Sequence, residues 1–192
     1  MLRRRLSALS KISLWVAHRC ADQLNDVRLI YASQHGEIVR TTEMLAELTA
    51  REPLSPTAFS MSVLNASIGI YSILRGNTAP ATAIAAGTET LGYALLEAYG
   101  QLQSDPARPV LVIYADETVP EVWAAAEHAP HAIALLLHNA AETRLYCARS
   151  SSPAKAADPQ TQSHALAECL RNGTPSAWQG ERSMWQWRST TA

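Results

Sequence analysis

Apolar residues recur along this chain with two periods, one typical of helices and one typical of strands. Spacings of three and four residues predict an amphipathic helix over 6–24, and a compact β-prone run predicts a strand over 27–32. The predicted helices are 6–24, 37–50, 65–74, 88–103 and 162–171, and the predicted strands are 27–32, 59–63, 81–86, 110–114, 132–138 and 143–148. Strands that alternate with helices indicate an α/β fold with a mixed sheet between helical layers.

The segment from 59 to 74 has the most informative pattern. A short strand at 59–63 is predicted to end in a tight turn of Leu64, Asn65 and Ala66, which opens directly into a helix. Asn65 suits the N-cap, because its side-chain oxygen can accept a backbone N–H. The residues after it are small or apolar almost all round, which is typical of a buried helix. A bulky residue in place of Gly69 is therefore expected to overpack the protein.

The last quarter of the chain has a different composition. The strand at 143–148 is predicted to form a hairpin with the strand at 132–138. From residue 150 onward the chain is rich in Ser, Pro, Gln and Ala. We therefore predict one domain over 1–149 and a polar tail over 150–192 that is partly disordered or forms a short helix. The pattern assigns no role to the tryptophans of this tail, which are Trp178, Trp185 and Trp187.

Composition narrows the functional classes. The 192 residues suffice for one domain with a core, and a net charge of −1 favours neither a nucleic-acid nor a membrane-surface partner. No apolar run reaches the ~18 residues that span a bilayer. The cysteines Cys20, Cys147 and Cys169 are odd in number and lack metal-ligand spacing. We expect no metal, no cofactor and a reducing cytoplasmic location.

A set of short motifs spreads over roughly residues 3–140. They are Ser33–Glu37, Ser55–Ser60, Ser62-Val63, Asn65-Ala66, Gly69, Ala86–Thr90, Ala94–Ala98, and Val110–Asp116 followed by Pro120. Together these motifs resemble the N-terminal-half β-ketoacyl synthase-like proteins, known as chain length factors, of aryl-polyene and related bacterial clusters. Family members often have a histidine directly before the asparagine, where this chain has Leu64. The family usually also has a section before Arg3, which leaves open whether a first strand is missing here.

The resemblance implies a thiolase-like half-fold. A full ketosynthase has two similar halves in a chain about twice the length of a single domain. Its second half supplies two catalytic histidines, or a histidine and an asparagine, and we expect that half to be absent here. In such condensing enzymes a strand-to-helix turn carries the nucleophilic cysteine, and the turn of Leu64, Asn65 and Ala66 has none. The resemblance thus implies a pseudo-active-site turn and no catalytic residue.

A noncatalytic subunit is the function that this resemblance implies. The chain would form a heterodimer with a β-ketoacyl-ACP synthase, and an acyl carrier protein would deliver the growing polyketide or fatty acyl chain. The residues expected at the acyl tunnel or the dimer seam are Phe59, Met61, Ser62 and Gly69.

Two other functional classes stay open at this point. The chain would be a small condensing enzyme or an acyltransferase if Ser62, Ser67 or Cys147 served as its nucleophile. It would be a homodimeric structural protein if two copies rebuilt the thiolase architecture across a two-fold axis.

Overall fold

A four-stranded mixed sheet forms the centre of the molecule. The computed structural model describes residues 6–123, 128–151, 160–180 and 183–191. The strands of the central sheet are β1 (Arg28–Ala32), β2 (Ala81–Ile84), β3 (Val110–Asp116) and β4 (His131–Leu137). Their order is β2-β1-β3-β4; the first three are parallel, and β4 runs antiparallel to β3. The prediction of a mixed sheet with helical layers is confirmed.

Helices cover both faces of this sheet. They are α1 (Ala8–Ala21), α2 (Ile38–Thr49), α3 (Pro56–Ser60), α4 (Ala66–Arg75), α5 (Thr90–Ser104) and α6 (Gln162–Asn172). Side chains on β3 alternate between the faces, so Val112 packs towards α5 and α6 while Leu111 packs towards α1 and α4. Because β3 is buried on both faces, its whole length is apolar until Asp116. No helix in the described residues combines the length and apolarity that a bilayer span requires.

A second sheet lies on the α5 and α6 side. Its strands are β5 (Thr143–Ser151), β6 (Ser176–Gln179) and β7 (Ser183–Thr191), in the antiparallel order β5-β7-β6. The predicted hairpin between the strands at 132–138 and 143–148 is therefore wrong, since β5 pairs with β7 and β4 pairs with β3. Pairing with β7 lets β5 bury Leu145 and Cys147 beside the tryptophans of the same core.

The described residues after 150 correct the prediction of a polar tail. The predicted short helix is present as α6, but β6 and β7 accompany it. Trp178, Trp185 and Trp187 are all buried and belong to the main hydrophobic core. Strand β5 crosses residue 150 without a break. A domain boundary at that residue stays a prediction.

The predicted strand over 59–63 is also wrong. Residues 56–60 form the short helix α3, and residues 61–65 form turns that lead into α4. Ser55 is the N-cap of α3 and accepts a hydrogen bond from the Ala58 amide, while Pro56 occupies the first turn. This capping pair favours a helix start and outweighs the β propensity of Phe59 and Val63.

Helix α4 is buried on one face only. Ile68, Ile70 and Tyr71 lie in the core, whereas Ile73 is 78% exposed on the opposite face. A Cβ atom placed on Gly69 would have no atom within 4 Å. The expectation that a bulky residue at Gly69 overpacks the chain is therefore wrong for the single chain, because the face that would crowd it is open.

Candidate functional site

The predicted pseudo-active-site turn lies against the loop that follows β1. Leu64 is half-buried in the core on the α1 and α4 side, and its Cδ1 would lie 3.4 Å from a Cβ on Gly36. Gly36 has φ +60, a conformation that favours glycine. Asn65 occupies the N-cap position of α4, but its side chain makes no capping hydrogen bond, which corrects that prediction. Ala66 begins the helix.

A buried ion pair anchors this turn. The Arg40 guanidinium donates from Nη1 to the Met61 carbonyl oxygen at 2.8 Å. Its Nε lies 3.8 Å from Oε2 of Glu37, which is buried. The other carboxylate oxygen of Glu37 accepts from the hydroxyls of Ser7 at 2.7 Å and Ser10 at 2.8 Å. The turn is thus held to the start of both α1 and α2.

The two serines that sequence reasoning offered as nucleophiles are hydrogen-bonded to no general base within the described part of the chain. Ser62 Oγ donates to the Phe59 carbonyl at 2.9 Å, which is a local turn contact. Ser67 is buried, and its Oγ lies 3.1 Å from that of Ser10. Burial raises the pKa of the neighbouring Tyr31 to about 12. Since no imidazole or carboxylate bonds either Ser62 or Ser67 among the described residues, neither is activated for acyl transfer.

The cysteines are poor nucleophiles for a different reason. Burial raises the pKa of the Cys147 thiol to about 11 and also raises the pKa of Cys20. Cys169 is fully buried, with its Sγ 3.9 Å from Ser189 Oγ. A thiolate is the reactive form, and the raised pKa disfavours it for Cys147 at neutral pH.

The four residues expected at a tunnel or seam differ in exposure. Phe59 is 65% exposed on α3, and Gly69 faces open space on α4. Met61 and Ser62 are half-buried in the turn between these helices. The structure therefore groups all four around the start of α4, and their role stays a prediction.

A second turn connects a strand directly to a helix, whereas the turn at Leu64 follows the short helix α3. Residues 85–89 connect β2 directly to α5, with Gly87 at φ +61. The Thr90 hydroxyl accepts from the Ala86 amide at 2.8 Å and donates to the Gly87 carbonyl at 2.6 Å, which closes the turn. Helix α5 then buries Leu91, Gly92 and further small or apolar residues in the main core. This turn also contains no cysteine.

The carboxylate of Glu89, at the N-cap position of α5, organises this second turn. Its Oε2 accepts from Trp185 Nε1 and from Arg149 Nε, both at 3.0 Å, and its Oε1 accepts from the Ser183 hydroxyl. Burial raises the pKa of Glu89, but the hydrogen bonds from Ser183, Arg149 and Trp185 outweigh it, so the net pKa is lowered. Arg149 stacks near the rings of Tyr93 and Trp185. Strands β5 and β7 thus close over the turn.

Sequence reasoning placed Glu89 in the motif Ala86–Thr90 but gave it no role, and it missed the second sheet. A signal was present, because Trp185 and Trp187 alternate with the polar residues Gln186 and Arg188, which is typical of a half-buried strand. That alternation predicts a strand but not its partner. No group of three or more His, Cys, Asp or Glu side chains suited to a metal ion occurs in the part of the chain that the structure describes.

Comparison with known proteins decides the family. A family model described as the N-terminal domain of β-ketoacyl synthase matches residues 1–188. The chain belongs to this family. No curated protein sequence matches it significantly.

Solved structures with the same fold include complexes of two subunits. One is the ketosynthase ApeO in complex with its chain length factor ApeC from Xenorhabdus doucetiae, with TM-score 0.87 and 27% identity over 98% of this chain and 80% of that chain. Another is the ishigamide ketosynthase/chain length factor, with TM-score 0.63 and 16% identity over 88% of this chain and 54% of that chain. The fold is therefore the thiolase-like half-domain of a ketosynthase, as the sequence predicted.

Proposed function

We propose that this chain is a noncatalytic, chain length factor-like subunit. It pairs with a β-ketoacyl-ACP synthase in fatty acid or polyketide chain elongation of the aryl-polyene type. The observation that carries the proposal is the turn at 85–89. It lies where a strand ends at the start of a buried helix, it has no cysteine, and the second sheet covers it through Glu89. A Claisen condensation needs a thiolate at such a turn, so the partner's cysteine performs the chemistry.

The size of one matched chain supports the assignment to this subunit type. The alignment covers 98% of this chain and 80% of the chain in the ApeO and ApeC complex, so that chain is about a quarter longer than this one. A ketosynthase with both halves would be about twice as long. The match is therefore more consistent with a one-half chain length factor than with a two-half ketosynthase.

The edge of the central sheet offers a seam for the partner. Strand β2 pairs with β1 on one side, and no described strand pairs with its other side. Exposed apolar side chains lie on two helices that pack on the neighbouring part of the sheet: Ile73 and Leu74 on α4, which contacts β1, and Leu96 and Tyr99 on α5, which contacts β1 and β2. An open strand edge with exposed apolar neighbours is a ready template for pairing with a partner strand.

Partner formation is the direct test. The chain is co-expressed with the ketosynthase encoded beside it, and the mixture is analysed by affinity pulldown and size-exclusion chromatography. We expect a single heterodimer peak, and the purified pair should extend an acyl chain on its carrier protein to a defined length. Two separate monomers with an unchanged product length would contradict the proposal. A stable homodimer that does not bind the ketosynthase would favour the alternative of a homodimeric structural protein.

Gly69→Leu tests the seam without disturbing the fold. Since the Gly69 position is open, leucine should leave the melting temperature of the single chain unchanged or slightly raised. If the α4 face contacts the ketosynthase, the same leucine should weaken heterodimer affinity about tenfold or more by overpacking. Lys11→Leu is the matched control, because it adds leucine at an exposed position of α1, which packs on β3 and β4 away from the β2 edge. Equal heterodimer affinities for the two variants would show that α4 does not contact the ketosynthase.

Acyl transfer by the chain alone is the alternative, and no contact in the described residues favours it. We expect no covalent adduct when the chain is incubated with acyl thioesters and analysed by intact-mass spectrometry. Replacing Cys20, Cys147 and Cys169 together by serine should leave condensation by the reconstituted pair within severalfold of wild type, with soluble yield as the control. An acyl adduct on Ser62, Ser67 or Cys147 would instead identify an enzyme.

A further inference from the structure

The second sheet presents one face to solvent, and that face carries positive charge only. We define the outer sheet face by the residues of β5, β6 and β7 that alternate with the buried ones: Arg144, Tyr146, Ala148, Ser150, Ala177, Gln179, Met184, Gln186, Arg188 and Thr190. These ten residues include two arginines and no aspartate or glutamate. The opposite face buries Trp185 and Trp187 in the core. The outer sheet face is therefore anchored to the molecule by the packing of the opposite face of the same sheet in the core.

A groove of about 590 Å³ crosses this face. Ala148 on β5 and Ala177 on β6 both pair with Gln186 on the middle strand, β7. The two alanine side chains are small, so they leave a depression in the face. The neighbouring row of Tyr146 and Arg188 forms a wall beside it. The groove thus has a floor of two alanines with the Gln186 amide between them, next to a basic, aromatic wall, which suits a small apolar side chain flanked by carboxylates.

The two arginines are available for a partner. The Arg188 guanidinium carbon lies 4.6 Å from the Tyr146 ring centroid, an arrangement that holds the cation at the wall of the groove. Arg144 lies two residues from Tyr146 on the same face. Neither Arg144 nor Arg188 forms an ion pair within the described residues, whereas Arg149 on the same strand is paired with Glu89. The free charges on this face therefore favour an acidic partner.

We propose that the outer sheet face docks a carboxylate-bearing surface segment of the acyl carrier protein, with one apolar side chain in the groove. The inference rests on the proposed function, because the carrier protein meets this chain as part of the ketosynthase pair. This surface lies on the α5 and α6 side of the central sheet, apart from the turn that Arg40 anchors. A docking role would explain why the outer face of the second sheet carries arginines and no carboxylates.

Charge reversal tests the proposal on the intact heterodimer. The probe is the fluorescently labelled carrier protein encoded beside the pair, and binding is measured by anisotropy at low and at physiological salt. Arg144→Glu with Arg188→Glu should weaken carrier binding about tenfold and flatten its salt dependence. The matched control is Lys11→Glu with Arg19→Glu, which makes the same charge change on exposed positions of α1 on the other side of the central sheet. Ala148→Phe, which fills the groove without changing charge, should also weaken binding.

The outcomes separate this inference from the proposed function. Pulldown of the ketosynthase by each variant is measured in parallel, and it should be unchanged. Equal carrier affinities for the charge-reversed and control variants would overturn the docking surface while leaving the heterodimer intact. Loss of ketosynthase binding in the Arg144 and Arg188 variant would reassign the face to the subunit interface. Concentration-dependent dimers that the charge reversal abolishes would reassign it to a second copy of this chain.

Discussion

Gly92→Ala should destabilise the protein although alanine is the better helix former. A Cβ on Gly92 would lie 2.6 Å from three atoms of the Trp185 indole, which is closer than a real carbon contact allows. The indole has no room to swing away, because Trp185 is fully buried and its Nε1 is bonded to Glu89. Overpacking costs about 1–3 kcal/mol and exceeds the helix-propensity gain of about 1 kcal/mol. Subtracting the gain from the cost leaves an expected net loss of about 1 kcal/mol, and of about 2 kcal/mol at most, in unfolding free energy.

Gly100→Ala is the matched control for this substitution. Gly100 lies on the same helix, and a Cβ there would have no atom within 4 Å. That variant should therefore gain about 0.5–1 kcal/mol from helix propensity alone. Urea unfolding followed by circular dichroism measures both, and the thermal midpoint of Gly92→Ala should fall by about 2–4 °C for a loss of about 1 kcal/mol. If both variants became more stable, the packing of the second sheet on α5 would be wrong.

Glu89→Ala should cost at least as much, through buried donors that lose their acceptor. Ser183 and Trp185 are fully buried, and both donate to the Glu89 carboxylate. Each unsatisfied buried donor costs about 1–3 kcal/mol, so we expect a loss of about 3 kcal/mol. Glu89→Gln keeps the shape and one acceptor oxygen, and it should lose less. Glu52→Gln removes an exposed carboxylate after α2 and should change nothing.

The Glu89 interaction should also depend on pH. The folded-state pKa of Glu89 is lowered, so its stabilising contribution is present above the unfolded glutamate pKa of about 4.3 and is lost as pH falls through the folded value. Wild type should therefore lose more stability than Glu89→Gln as the pH falls below about 4.3. Unfolding curves from pH 7 to pH 3 on both proteins give this difference. Parallel curves would mean that the carboxylate is not held as an ion in the folded chain.

The substitutions of Gly92 and Glu89 disturb the same small region, and we expect both of them to affect partner binding. The loss of Glu89 or the crowding of Gly92 should loosen the second sheet from the turn at 85–89, because Trp185 connects the two. Tryptophan fluorescence should then change together with stability. If the ketosynthase binds at the β2 edge as proposed, that interaction should weaken as well, because β2 leads directly into that turn.

Local patterns alone determined much of the central sheet. The compact runs at 27–32 and 110–114 are β1 and β3, and the helical spacing at 6–24 contains α1. β1 and β3 are buried on both faces and therefore appear in the sequence as continuous apolar runs, whereas α1 buries one face and shows the helical period. The motifs at Ser33–Glu37 and Ala86–Thr90 likewise indicated the family that the comparison confirms. The helix at 162–171 was predicted within one residue of α6.

Only the tertiary structure decided how the distant parts meet. The sequence predicted a strand at 143–148, but β-pairing leaves no local mark of its partner, and β7 lies about forty residues further along. The wrong strand at 59–63 arose because Phe59 and Val63 fit a strand, while Ser55 and Pro56 cap a helix. The structural role of Glu89 depends on β5 and β7, which bring its hydrogen-bond donors Arg149, Ser183 and Trp185 to it. Those donors are distant in sequence, so the role of the carboxylate could not be predicted from the residues around it.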